Sequence, residues 1–415
     1  MSKPNPNPQN WTGIALVILA SLTAVSFFYS PGTGDVSIWD NWRREIAAYG
    51  LVGGFGHSGT DYPPLAFIIL DAVSRCAEAF GTSWFIILKL SLLLFLFATC
   101  VCFYWFTRNL ILTAALELTL LLNSVALAYL DIFFAPFLIA ALFHLQRGNL
   151  TRGILLFAIS CSIKWQPLII APFIFVYVLD TTREGPPRRG DLWKRTLPFI
   201  VPAVVIAVPL FAVFGTAIFD SLRRAMTRHT FLSAYGLNLS WLHTWVLHLA
   251  DPEKYGGLKN GAADYIIIAR EPLLALPEKI LFYGSYAAIL IVFIQRKKTF
   301  ARLIVYSILG YFAYFVLNTG VHENHLFLVS FLAWILVFID RAQLVRGINL
   351  SIAANANMFL FYGVSGRRLE TVIAGLDITV LFAVANVFLF VGFLLHTLKS
   401  DYVGLKFWRR PVTAD

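Results

Sequence analysis

Carboxylates, arginines and tryptophans crowd the stretch Gly34-Asp35-Val36-Ser37-Ile38-Trp39-Asp40-Asn41-Trp42-Arg43-Arg44. Thr60-Asp61-Tyr62-Pro63-Pro64-Leu65 follows it. Asp35 and Asp40 are five residues apart, so on a helix they share a face poorly. That spacing supports a metal pair weakly. It suits a single carboxylate acting as general base, which removes the proton of a hydroxyl as the hydroxyl attacks. Asp35 equally suits a helix cap, because Gly34-Asp35 precedes an amphipathic run over 36–49. Tyr62-Pro63-Pro64-Leu65 reads as a helix start, since proline fixes φ and fits the first turn. Asp61 and Tyr62 just before it are candidate ligand contacts.

Other polar groups interrupt apolar sequence. Lys164-Trp165-Gln166-Pro167 places an ammonium where it either meets a phosphate or carboxylate or snorkels from a helix end. Asp131 closes another apolar run. His322-Glu323-Asn324-His325 sets two histidines around an acid. The second histidine comes three positions after the first, unlike the His-Glu-x-x-His of zinc proteases. The two rings either face one ligand or belong to a hydrogen-bonded turn. Arg223, Arg224 and Arg228 precede Tyr235-Gly236-Leu237-Asn238-Leu239-Ser240-Trp241 and suit an anion. Cys76, Cys100, Cys102 and Cys161 lack metal spacing and read as packing residues. The glycines at 53, 54 and 56 lack the strand–helix context of a nucleotide loop.

The elements that must position these groups are membrane helices. Hydrophobic residues make up 58% of the chain and charged residues 13%, against about a quarter charged in soluble domains. Mean hydropathy is +0.72. A span needs roughly 20 apolar residues, and about twelve candidate runs are present. The clearest cover 11–30, 84–106, 110–129, 197–217, 281–294, 302–317, 326–340 and 374–396. The first is longer than a signal core, and Pro31-Gly32-Thr33 offers no small-residue cleavage site, so it is retained as a span. The segment 65–80 carries Asp71, Arg75 and Glu78, which suits an interfacial helix. The expected fold is all-α and polytopic, with residues 1–415 forming one membrane-embedded unit.

Basic residues orient it. Arg183, Arg188, Arg189, Lys194 and Arg195 form one cluster, Arg296, Lys297, Lys298 and Arg302 a second, and Lys406, Arg409 and Arg410 a third. Positive charge favours the cytoplasmic side. The net charge of +10 therefore reports topology, and nucleic acid is not an expected partner. Counting spans from these loops puts the N-terminus inside. It makes 31–83 the first extracytoplasmic loop, a catalytic or binding loop with interfacial helices, and 218–276 the second. Four polar clusters then meet on one face: 35–44 with Asp61 and Tyr62, Asp131, Lys164 with Gln166, and 322–325. Ionisable groups at membrane depth are costly and mark a site by default.

These motifs resemble a known family. Gly34-Asp35 with Trp42, then Asp61-Tyr62-Pro63-Pro64-Leu65, is similar to the first luminal loop of the endoplasmic-reticulum glucosyltransferases that extend lipid-linked oligosaccharides (glycosyltransferase family 57, GT-C superfamily). Lys164-Trp165-Gln166 resembles its Lys-Gln motif, and Val321-His322-Glu323 its Val-His-Glu-Lys motif. Arg223 and Arg224 through Asn238 and Trp241 resemble its arginine segment with Asn-x-x-Trp. The order is that of the family. Asn324 departs from it where the family has lysine, and Trp165 intervenes between Lys164 and Gln166. The first loop is also shorter, and the size and tails suggest a bacterial relative in the inner membrane.

The resemblance implies inverting transfer of a hexosyl group, glucosyl or mannosyl, from a polyprenyl-phosphate sugar to a glycan or glycolipid acceptor at the extracytoplasmic face. Asp35 is then the catalytic base. Asp40, Trp42, Asp61, Tyr62, Asp131, Lys164, Gln166, Arg223, Arg224, Asn238, His322, Glu323 and His325 are the implied substrate contacts. No cofactor is required, though Asp35, Asp40 and Glu323 are compatible with a divalent metal. Membrane lipids are the remaining partner. A transporter or flippase of lipid-linked sugars is the competing reading. It predicts an internal repeat, and none is evident. A structural membrane subunit would need no such convergence of polar motifs.

Overall fold

The computed structural model describes residues 8–181, 191–227 and 230–402. Arg183, Arg188, Arg189, Arg228, Lys406, Arg409 and Arg410 lie outside the described residues. Within them the chain is helical throughout, apart from isolated bridges and one hairpin of β1 (Val372–Ile373) with β2 (Leu376–Asp377). The helices are α1 (Pro8–Ser26), α2 (Asp35–His57), α3 (Pro64–Ala79), α4 (Trp84–Thr107), α5 (Leu110–Leu121) and α6 (Ala135–Gln146). Next come α7 (Leu150–Ile163), α8 (Ala171–Thr181), α9 (Asp191–Phe214), α10 (Ala217–Thr227), α11 (Leu239–Ala250) and α12 (Pro252–Tyr255). The last are α13 (Leu276–Gln295), α14 (Phe300–Leu317), α15 (Phe327–Ile339), α16 (Leu344–Tyr362) and α17 (Ile378–Tyr402).

This is the architecture of an all-α membrane protein. Five helices are long and apolar enough to cross a membrane: Trp84–Thr107, Trp193–Phe214, Pro272–Gln295, Phe300–Leu317 and Ile378–Lys399. Six further apolar helices are shorter. Of the roughly twelve spans expected, several of them short, five are thus long enough among the described residues. Turns account for the difference. The run at 110–129 leaves the α-helix at Leu121 and closes in a π-turn, Leu122–Ala126. The run expected from 374 starts later, at Ile378, because the hairpin occupies the preceding residues.

Burial sorts the helices. In α14 72% of the apolar window is buried, against 11% in α9. Helix α14 is thus a central post, and α9 is a peripheral helix facing the surroundings. Helix α9 also holds Pro198, Pro202 and Pro209 in its interior, which membrane helices tolerate better than soluble ones. Nearly every side chain of α15 is buried, as an all-apolar helix requires. One continuous apolar cluster runs from Ala24 to Phe393 and ties the bundle together.

The first loop is itself helical. Helices α2 and α3 pack on each other, and α3 also packs on α4 and α7. Trp42 stacks on Phe67, with ring centroids 5.0 Å apart, and both also meet this hairpin's other aromatics. Helix α3 turns Phe67, Leu70, Val73 and Ala77 inward, while Asp71 pairs outward with Arg75 at 2.8 Å. That division of faces suits the expected interfacial helix. Helix α2 breaks at Gly50, whose φ of 72° is open to glycine without the Cβ penalty other residues carry. The break folds Phe55 back onto Phe67 and Phe214.

The loop carrying Lys297 joins α13 to α14 at the end of the bundle away from α2, because α14 ends at Leu317 beside the polar clusters. Cysteines introduced as Ala48→Cys and Lys297→Cys in a cysteine-free background should react with an impermeant thiol reagent from opposite sides of the membrane. Reaction of both from one side would overturn this arrangement.

Candidate active site

The site is built around one buried carboxylate. Helix α5 gives way to the π-turn, and Lys89 of α4 donates to the Val125 carbonyl within it. Ala128 then takes a positive φ of 60°, and a short 3-10 turn, Leu130–Phe133, delivers Asp131 to the interior. Asp131 is fully buried. Its carboxylate forms an ion pair with Lys164 and accepts from Asn324 Nδ2 at 2.8 Å and Asn123 Nδ2 at 3.3 Å. Lys164 is free to reach it because α7 ends there in extended backbone. The ammonium also lies 4.9 Å from the centroid of the Tyr62 ring. Charge compensation and hydrogen bonds together make this burial tolerable.

Backbone contacts bring in the histidine turn. Ala234 N and Gly236 N both donate to Val321 O, at 3.2 and 3.1 Å. Gly236 permits this approach: a Cβ there would lie 2.7 Å from that carbonyl. Asn357 of α16 accepts from Leu237 N at 2.7 Å and donates to Glu323 O at 2.5 Å, locking the turn from behind. The buried Glu323 carboxylate accepts a hydrogen bond from Tyr129 Oη, and its Oε2 lies 3.8 Å from His322 Nδ1. The His325 ring is 5.4 Å from that of His322, and its Nδ1 is 2.9 Å from Tyr314 Oη.

The first loop is pinned over this cluster. Thr33 N donates to Leu127 O at 3.1 Å, and Trp39 Nε1 to Ala128 O at 3.3 Å. Between them lies Asp35, the first residue of α2, partly exposed. The helix has Gly34 at its cap position with no side-chain cap bond, so capping does not occupy the Asp35 carboxylate. Helix α10 clamps the other end of the loop: Arg224 Nε donates to Thr60 O at 2.8 Å and Ser221 Oγ to Tyr62 O at 2.6 Å.

Electrostatics follow from this crowding. Burial, and then the negative charge of Glu323, push the Asp35 pKa up to about 6, against the opposing pull of His322 and Lys164. Burial would by itself lower the His322 pKa. The hydrogen bond and charge of Glu323, with Asp35 and Asp61, outweigh it and hold the ring above its ordinary value. The raised proton affinities of Asp35 and His322 thus share one cause, the buried charge of Glu323.

The structure brings together Asp35, Asp61, Tyr62, Asp131, Lys164, His322, Glu323 and His325. Arg224 joins them through the loop backbone. Gln166 is buried next to Lys164, and neither its Oε1 nor its Nε2 has a hydrogen-bond partner. Three expected contacts, Asp40, Arg223 and Asn238, are placed elsewhere. Asp40 points to another flank of α2 and pairs with Arg43 at 2.8 Å and Arg44 at 2.6 Å. The five-residue spacing turns it to a different face of α2 from Asp35. Trp42 is buried in the aromatic core of the first loop and meets the Tyr62 ring, with centroids 5.3 Å apart. Arg223 is exposed and faces Asp220 at 3.6 Å. Asn238 is fully buried as the cap of α11, accepting from Trp241 N and donating to Phe315 O. Among the described residues no group of three or more His, Cys, Asp or Glu is arranged to hold a metal ion.

Sequence reasoning missed Asn123, Tyr129 and Asn357. Each is a polar side chain in an apolar run, which was the only available signal. Asn324, noted as a departure from the family pattern, is a direct partner of Asp131. No family model matches the chain, and no curated protein matches it.

Removing one member of the Asp131–Lys164 pair strands the other charge. Lys164→Met and Asp131→Leu should each destabilise the protein by about 3–5 kcal/mol. The double variant should recover most of that loss. Thermal unfolding in detergent checks the cycle, and additive losses would show that the two residues are not coupled.

Proposed function

We propose that this protein is a membrane glycosyltransferase of GT-C type. It transfers a hexosyl unit, glucosyl or mannosyl, from a polyprenyl-phosphate sugar to a lipid-linked or cell-envelope glycan. In this reading the chain crosses a bacterial inner membrane about twelve times. Segments 31–83 and 218–276 face the periplasm or exterior, together with the site. The observation that carries the reading is Asp35. It is a partly exposed carboxylate with a pKa of about 6, set at the mouth of a buried polar cluster that also holds cations.

The chemistry balances with these groups. The acceptor hydroxyl attacks C1 of the sugar from the face opposite the phosphate, inverting the anomeric centre. Asp35 takes the hydroxyl proton. The bond from C1 to the phosphate oxygen breaks, and its electron pair stays on the departing polyprenyl phosphate. That group gains negative charge, which His322 and Lys164 stabilise electrostatically. The amide of Gln166 has hydrogen-bonding capacity left for the same phosphate. Apolar grooves between helices hold the prenyl tail.

Purified protein supplied with a panel of polyprenyl-phosphate sugars and a glycolipid acceptor should release polyprenyl phosphate. Asp35→Asn should lower the rate by about 10²–10⁴-fold. Passage of the lipid-linked sugar across a bilayer without release would favour the transporter instead. Near wild-type turnover by Asp35→Asn would remove Asp35 as the base.

The pH dependence has a defined sign. Asp35 must be ionised to accept a proton, so the transfer rate should fall about ten-fold per unit below pH 6. Stability runs the other way. The folded pKa of about 6 lies above the reference value of 3.8, so the folded state holds the proton across that window. The stabilisation is complete below the lower value and is lost as pH rises through the upper one. At pH 7.5 Asp35→Asn should therefore be at least as stable as wild type, by up to roughly 1–3 kcal/mol. Parallel rate and unfolding profiles from pH 4.5 to 8 test both signs.

A further inference from the structure

A second concave site lies on the flank of α2 opposite the buried cluster. It is a groove of about 820 Å³ between the start of α2, the end of α3 and the start of α4. Its volume is in the range of pockets that take small ligands. Trp84 lines it half-buried, and the indole Nε1 is buried without a hydrogen-bond partner. The Arg43 guanidinium carbon lies 5.8 Å from the Trp84 ring centroid. Asp40 holds Arg43 at 2.8 Å, and the exposed Glu78 stands on the far wall. Ser37 and Ser83 add hydroxyls to the lining.

These groups select a chemistry. An indole face half open to the groove is a stacking platform. Carboxylates accept from hydroxyl groups, and an arginine already engaged by a carboxylate offers its remaining N–H donors. The lining carries one net negative charge, Asp40 and Glu78 against Arg43, which disfavours a free anion and suits a polyhydroxylated neutral ring. The location selects a form of delivery. Trp84 opens a membrane-length helix and Pro31, also in the lining, follows α1. The groove therefore lies where a lipid-anchored headgroup would sit.

We propose that this groove binds the sugar headgroup of the lipid-anchored acceptor, with Trp84 as its platform and Asp40 and Arg43 as its polar contacts. The inference rests on the glycosyl-transfer reading for the word acceptor. The route from groove to base is short: Val36 and Ser37 line the groove and directly follow Asp35. It is also open, since a Cβ built at the exposed Gly34 would meet nothing within 4 Å. The reactive hydroxyl passes around the N-terminus of α2. This gives Asp40 a function that its distance from the buried cluster otherwise denies it.

The test uses the full chain in phosphatidylcholine nanodiscs, with octyl β-glucoside and octyl β-mannoside below their micellar concentrations and octanol as the tail control. Saturation-transfer NMR reads which ligand protons touch the protein. Ring protons of at least one glycoside should be saturated, with octanol silent. Trp84→Ala and Asp40→Ala should each weaken that binding by about ten-fold or more. Trp84→Phe, which keeps an aromatic face of smaller area, should fall between. If Trp84→Ala does not fold, Asp40→Ala and Trp84→Phe decide. Saturation confined to the alkyl chain would mean a lipid groove and overturn the proposal. So would affinities unchanged by all three substitutions. Transfer is not read in this experiment. A protein that binds glycosides here and releases no polyprenyl phosphate refutes the function while keeping a sugar site. One that transfers sugar but whose glycoside affinity ignores Trp84 and Asp40 refutes the groove alone.

Discussion

The arrangement depends on the burial of one ion pair. Asp131 and Lys164 sit in an otherwise apolar bundle, where an unpaired charge would be costly. The chain meets that constraint by departing from helix three times. The π-turn and the Leu130–Phe133 turn carry Asn123 and Asp131 inward, and the extended end of α7 carries Lys164. Asn324 supplies the remaining donor. Non-helical backbone at membrane depth persists only where protein surrounds it, and here it is surrounded. The irregular turns and the charges justify each other.

Further charged residues stand around that pair. Asp35, Asp61 and Glu323 face His322 across a small space. Burial, and after it the charge of Glu323, raises the proton affinity of Asp35. Glu323 itself accepts from Tyr129. In the proposed transfer Asp35 takes the proton, and His322 and Lys164 meet the anionic leaving group. The first loop supplies the rim as a folded helical hairpin, held down by Trp39, Thr33 and the α10 clamp.

Legibility in the sequence varied from residue to residue. Lys164 and the 322–325 group were identifiable because each breaks an apolar pattern, and Asp35 because it opens a stretch crowded with charged and aromatic residues. Their meeting was expected from span parity. Asp40 was grouped with Asp35 by nearness in sequence, and the helix turned it to another face, whereas Trp42, two turns on from Asp35, packs on Tyr62. Asn238 matched a motif, but its side chain caps α11. Tyr129 and Asn357 gave little warning, since one tyrosine or asparagine in an apolar helix has many ordinary explanations.

The sequence by itself determined the class of molecule. Hydropathy and loop charge are local properties that a membrane reads segment by segment, so an all-α membrane protein with polar motifs at its helix ends followed from composition and spacing. Only the tertiary structure decided which charge meets which. The pairs that build the site join residues 33 apart, Asp131 with Lys164, and 194 apart, Tyr129 with Glu323. Local propensity cannot specify such contacts. They depend on how helix ends register against one another once packed, and therefore so does the proton affinity of Asp35.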